Sequence, residues 1–93
     1  MSSFSIEKFE KYLKNVDRVQ IINMYDTALH EQQYDNIFHM FFSIVLNGDE
    51  KLILMFIERI DEWRNKMSVI DILNYAVVYA TKSANFSTLL LLE

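Results

Sequence analysis

The sequence predicts an all-α fold of about six short helices, arranged as three stacked helical hairpins in a single domain, and three observations predict it. Apolar residues recur at helical spacing in block after block. Short polar breaks separate the blocks, and the clearest is Asn47-Gly48-Asp49, which holds the only glycine of the 93 residues. Composition supplies a core: 52% of residues are hydrophobic and 14% aromatic, ample for one domain of this length. The hairpins are expected at about 4–30, 36–65 and 69–93, either as a solenoid or as a compact bundle.

The first helix is expected over Phe4–Lys14, with Ile6, Phe9, Leu13 and Val16 on one face and Ser5 as its N-cap. Glu7/Lys11 and Glu10/Lys14 are i, i+4 pairs in the favourable order, which marks the opposite face as solvated. Asn15-Val16-Asp17 breaks the pattern, and Asp17-Arg18-Val19-Gln20 resembles a capping box opening a second helix to about His30. Its apolar stripe is Ile21, Ile22, Tyr25, Ala28 and Leu29, leaving Arg18, Asn23 and Asp26 toward water. Glu31 to Asp35 is a polar connector, with Asp35 expected to cap a third helix that is apolar almost all round and therefore central.

Gly48 can end that helix with a positive φ at little cost, and Asp49 supplies an acceptor for the first amides of a fourth helix running from Glu50 to about Asn65. Its first half is core-like, with Leu52, Ile53, Phe56, Ile57 and Ile60, whereas Arg59, Asp61, Glu62, Arg64 and Lys66 charge the second half. Ser68 to Asp71 opens a fifth helix through about Thr81. After Lys82 to Asn85 a sixth is expected from Phe86 to Glu93, carrying Leu89 to Leu92.

Several function classes are disfavoured. A net charge of −4 with no run of Lys and Arg offers no phosphate-binding surface, so no nucleic acid is expected as partner. The apolar runs near Ile37–Leu46 and Ile70–Ala80 are too short to span a bilayer, and no basic region precedes an apolar block at the N-terminus, so neither membrane nor signal peptide is expected. The absence of cysteine fits a reducing, cytoplasmic compartment.

Reaction chemistry is equally hard to find. His30-Glu31-Gln32-Gln33-Tyr34 begins like a helical zinc-protease motif, but Tyr34 stands where the second histidine would be. His39 is expected to be a buried or half-buried histidine satisfied by a carbonyl. No glycine-flanked serine or phosphate-cradling glycine loop exists, and the adjacent acids Asp61/Glu62 and Asp49/Glu50 point to different helix faces. No catalytic residue, metal or cofactor is expected, and the chain reads as a non-enzyme.

Internal repetition is visible instead. Asn15-Val16-Asp17 and Asn47-Gly48-Asp49 lie 32 residues apart, and Ile37–Glu58 aligns with Ile72–Glu93 at a shift of 35, matching at Ile37/Ile72, Leu54/Leu89 and Glu58/Glu93. Ile44 to Glu58, with its apolar pair, glycine turn, paired aliphatics and final apolar pair, resembles a degenerate ankyrin repeat of the eroded kind common in viral and parasite proteins. The last hairpin keeps Ala80, Ser83 at the turn-glycine position and Leu91-Leu92. The chain departs from that pattern in lacking the Thr-Pro-Leu-His opening and any proline, and its Arg64–Met67 connector is too short for the extended finger. The resemblance implies a protein-recognition scaffold whose partner docks on the concave face and inter-repeat loops.

Two functions follow as expectations. One is a protein-binding module of ankyrin-like hairpins; the other is a small viral- or phage-type stoichiometric inhibitor or regulator, dimeric through the leucine-rich C-terminal helix. The candidate partner-binding residues are Tyr34, Arg59, Asp61, Glu62, Trp63 and Arg64. Tryptophan and arginine favour interfaces, and Arg59 stands one turn before Trp63, where a cation–π contact could form on an exposed face. The competing reading makes Trp63 a core plug continuing the Phe56-Ile60 stripe.

Overall fold

A computed structural model describes residues 5–82. Its helices are α1 (Ile6–Lys14), α2 (Arg18–His30), α3 (Tyr34–Asn47), α4 (Glu50–Glu58), α5 (Ile60–Trp63) and α6 (Val69–Lys82), and no strand occurs among the described residues. The fold is all-α as expected. The helix expected over 86–93, with its leucine run and the dimer contact assigned to it, lies outside the described residues.

Side-chain oxygens open four of the helices, α6 among them, where Ser68 Oγ accepts from the Ile70 amide at 3.2 Å. Ser5 Oγ accepts from the Lys8 amide at 3.3 Å, Asp17 Oδ1 from Gln20 at 3.4 Å and Asp49 Oδ1 from Leu52 at 3.1 Å. The third helix departs from expectation. It starts at Tyr34 behind Gln33, whose side chain makes no cap bond, so Asp35 sits inside the first turn rather than capping it. There its charge still suits the positive end of the helix dipole.

Helix ends show a regularity that the sequence conceals. Val16 (φ 55°), Gln32 (φ 58°), Gly48 (φ 86°) and Asn65 (φ 56°) all take the left-handed conformation. After α1, the Val16 amide reaches Leu13 O and the Asp17 amide reaches Tyr12 O at 2.8 Å; after α2, Gln32 reaches Leu29 O and Gln33 reaches Ala28 O at 2.8 Å. These paired bonds satisfy the last carbonyls of each helix. Val16 and Gly48 lie 32 residues apart and Gln32 and Asn65 lie 33 apart, so the chain repeats as two-helix units. The third unit begins in step: α3 and α6 are both 14 residues long and start 35 apart.

The fourth helix is not continuous. It breaks at Arg59 (φ −102°, ψ 15°) into α4 and the single turn α5. The stretch 50–63 holds one residue more than the 13 of α2, its counterpart in the first unit, and Arg59 takes up the difference outside either helix. The break also lets Trp63 Nε1 donate to Phe56 O at 2.8 Å, satisfying a carbonyl in the last turn of α4.

α3 is the central element. It packs against α1 on one side and α6 on the other, and also against α2, α4 and α5. Consecutive units are thus in contact, while α1 and α6 have no packing of comparable extent among the described residues. Ile37, Met40, Phe41, Ile44 and Val45 bury the α3 core face. Around them an aromatic cluster forms, with Phe41 to Trp63 centroids 5.0 Å apart, Phe38 to Trp63 at 5.6 Å and Tyr25 to Phe56 at 4.9 Å. The described residues span 36 × 31 × 18 Å, a slab about two helices thick.

Candidate interaction surface

The residues singled out around α5 separate into a buried part and an exposed part. Trp63 is fully buried, wedged among Phe38, Phe41 and Phe56, and offers no surface to a partner. Its place in the exposed set is therefore corrected: the Phe56-Ile60 stripe carries it into the core, and its one polar atom is satisfied there. Arg59 stacks on a different ring. Its guanidinium carbon lies 4.5 Å from the centroid of Tyr25 on α2, not over Trp63.

Arg59 holds a four-residue knot at the α4–α5 break. Its Nε donates to Glu62 Oε1 at 2.7 Å and its Nη1 to Asp26 Oδ1 at 3.3 Å, while the Tyr25 hydroxyl donates to the same Glu62 oxygen at 3.0 Å. The knot ties α5 to α2. Burial raises the Tyr25 pKa, the hydrogen bond to the Glu62 carboxylate raises it further, and Arg59 opposes both. The Glu62 pKa is lowered by the hydrogen bond from Arg59 first and that from Tyr25 second. For Arg59, burial alone would lower the pKa, but the hydrogen bond to Glu62 and the negative field of its neighbours leave it raised.

Arg64 and Asp61 close a second, exposed pair at 3.0 Å, and Arg64 Nη1 also donates to Met67 O at 3.1 Å, bracing the loop before α6. The charges of α5 are thus largely spent on one another.

Tyr34 leads elsewhere. Half-buried against the core at the start of α3, it lines an open cleft of about 400 Å³ with Gln32, Gln33, Asp35, Asn36 and Asn65. The α2–α3 and α5–α6 connectors meet here. Asn36 Nδ2 donates to Gln33 Oε1 at 3.1 Å, which fixes two of the carboxamides relative to each other. Sequence reasoning missed Gln32, Gln33, Asn36 and Asn65, because Asn65 lies 33 residues beyond Gln32 and only the fold brings the two connectors together.

At the opposite edge the Val16 and Gly48 turns lie side by side. Arg18 and Asp49 bridge them by two hydrogen bonds, at 3.0 and 3.4 Å, with the Asp49 side chain only 7% exposed. Arg18 still reaches water, as expected, with 41% of its side chain exposed, but the bridge ties its guanidinium to Asp49. His39 is corrected: it is exposed on α3, its ring edge-on to Phe9 at 6.5 Å. Among the described residues no group of three acids or histidines could hold a metal, and no helix is long and apolar enough to cross a membrane.

Comparison with protein-family models, curated proteins and solved structures gives no match. The residues alone carry the functional reading.

Proposed function

We propose that this chain is a cytoplasmic protein-recognition module of ankyrin-like helical hairpins, which acts by holding a protein partner rather than by catalysis. The observation that carries the reading is the repetition of unit geometry: left-handed caps recur at Val16 and Gly48 along one edge and at Gln32 and Asn65 along the other. Units that stack on their neighbours through a shared central helix present successive loops in a row, and a row of loops is a recognition surface. The partner-facing residues are then Tyr34 and the cleft around it, together with the exposed Asp61 of α5 and the half-buried Arg64 that follows α5.

A photo-crosslinking amino acid at Asp35 or Asn65, in the cells that produce the protein, tests the reading. A discrete crosslinked protein is expected from these positions and not from Val19 at the opposite edge. Equal labelling from both edges, or none from either, overturns it.

A second reading, a dimeric regulator, is favoured by the exposed apolar residues Ile70, Tyr75 and Val78 on α6, of which Ile70 is 69% exposed. Light scattering across a concentration series separates the two: a stable dimer favours the regulator, a monomer the module.

A further inference from the structure

We propose that the cleft between the α2–α3 and α5–α6 connectors binds an extended peptide segment through its main-chain amides. This inference rests on the protein-recognition reading above and names the chemistry of the partner. Four of the six residues lining the cleft are carboxamides; Gln33 and Asn36 bond each other, and Gln32 and Asn65 are the two offered to a ligand. A carboxamide carries a donor and an acceptor on one planar group, as a peptide unit does, and pairs with it on both sides.

The other two lining residues narrow the choice. Asp35 is the only charged group of the lining, so phosphate and carboxylate ligands meet repulsion with no compensating cation, whereas a peptide bearing Lys or Arg beside the contact is favoured. Tyr34, anchored on the core, supplies one apolar wall against which a side chain can lie.

Backbone conformation adds a separate argument. Gln32 and Asn65 occupy the same left-handed cap position in successive units. Glycine would fit there without the side-chain penalty, about 1–2 kcal/mol for an ordinary residue, and Gly48 shows the chain using it at the corresponding turn of the other edge. Gln32 is held there at a conformational cost and Asn65 is of a type that suits the position; in one cleft and one unit apart, the two carboxamides form a row spaced along the stack. An extended chain laid across the two connectors meets them in succession, as in recognition modes where main-chain hydrogen bonds give affinity and side-chain pockets give specificity.

The decisive variant is the double substitution Gln32→Gly/Asn65→Gly, which keeps the left-handed caps while removing both carboxamides, so the fold is retained or strengthened. A random twelve-residue peptide library displayed on phage is selected against the wild-type chain, and the enriched sequences are synthesised. Expected are peptides whose affinity falls at least tenfold for the double variant, falls similarly when their central amides are N-methylated, and is unchanged by Lys8→Ala on the far side of α1. Failure to enrich any peptide overturns the inference, and so do peptides that bind the double variant equally well. A crosslinked partner at Asn65 together with failed selection leaves the recognition reading standing and removes only the peptide.

Discussion

Trp63 is the chain's only tryptophan, and its indole both fills the aromatic cluster and satisfies a carbonyl at the α4 terminus. Trp63→Ala is expected to cost about 3–5 kcal/mol by cavity formation, a large part of the roughly 5–15 kcal/mol that holds a domain together. Trp63→Phe keeps most of the ring but leaves Phe56 O without its donor, at a cost of about 1–3 kcal/mol. Urea unfolding followed by far-UV circular dichroism measures both, and a Trp63→Phe protein as stable as wild type shows that the indole hydrogen bond holds nothing. Val16 makes the opposite case. It is a β-branched residue at φ 55°, 49% exposed, in the cap position that Gly48 fills one unit later. Val16→Gly is expected to raise stability by up to about 1 kcal/mol, the left-handed strain relieved exceeding the glycine entropy cost. A lower urea midpoint instead means that the Val16 methyls pack usefully in the turn.

At the level of elements, two aspartates that look alike in sequence do different work. Asp17 caps α2 at 3.4 Å, whereas Asp49 caps α4 at 3.1 Å and also takes the two-pronged bridge from Arg18. Asp17→Ala should cost the lower end of the usual cap range, about 0.5–1 kcal/mol. Asp49→Ala should cost more and be partly masked at high salt. A double-mutant cycle of Arg18→Gln with Asp49→Asn is expected to show about 0.5–1 kcal/mol of coupling, kept modest because the Arg18 side chain is 41% exposed. No coupling at low ionic strength removes the bridge as a link between the units. The contrast explains what could be read in advance. Caps are local, since Ser5, Asp17 and Asp49 act on amides three residues on, and all three were visible as sequence signals. Arg18 to Asp49 spans 31 residues and Tyr25 to Glu62 spans 37, and no periodicity encodes such partners. The left-handed cap was legible at Gly48, and Asn65 is of a type that favours the conformation, whereas Val16 and Gln32 seldom take it. The break at Arg59 was hidden for the opposite reason, since Ile60 and Trp63 keep helical spacing with Phe56 and the extra residue shows only against α2.

For the whole molecule, the knot linking α2 to α5 sets how stability depends on pH. The Glu62 pKa is lowered in the folded state, so Glu62 contributes stability that is present above the ordinary glutamate value, near 4.3, and lost as pH falls through its folded pKa. The Tyr25 pKa is raised, so its contribution is complete below the ordinary tyrosine value, about 10, and declines as pH climbs from there toward the folded pKa. Between these limits the knot is intact, and the urea midpoint should have a plateau across neutral pH. Glu62→Gln is expected to flatten part of the acid fall and Tyr25→Phe part of the alkaline fall, and each should also weaken the other limb, because the hydrogen bond between them lowers the Glu62 pKa and raises that of Tyr25. The two limbs are joined through Arg59, whose guanidinium touches Tyr25, Asp26 and Glu62 at once. Arg59→Met, which keeps the apolar stem over the Tyr25 ring but removes the charge, should therefore shift the acid limb toward higher pH, because Glu62 loses the donor that lowers its pKa most. An acid limb unmoved in Arg59→Met means that Tyr25 alone stabilises the Glu62 carboxylate, and the packing of α5 on α2 then depends on its buried side chains rather than on charge.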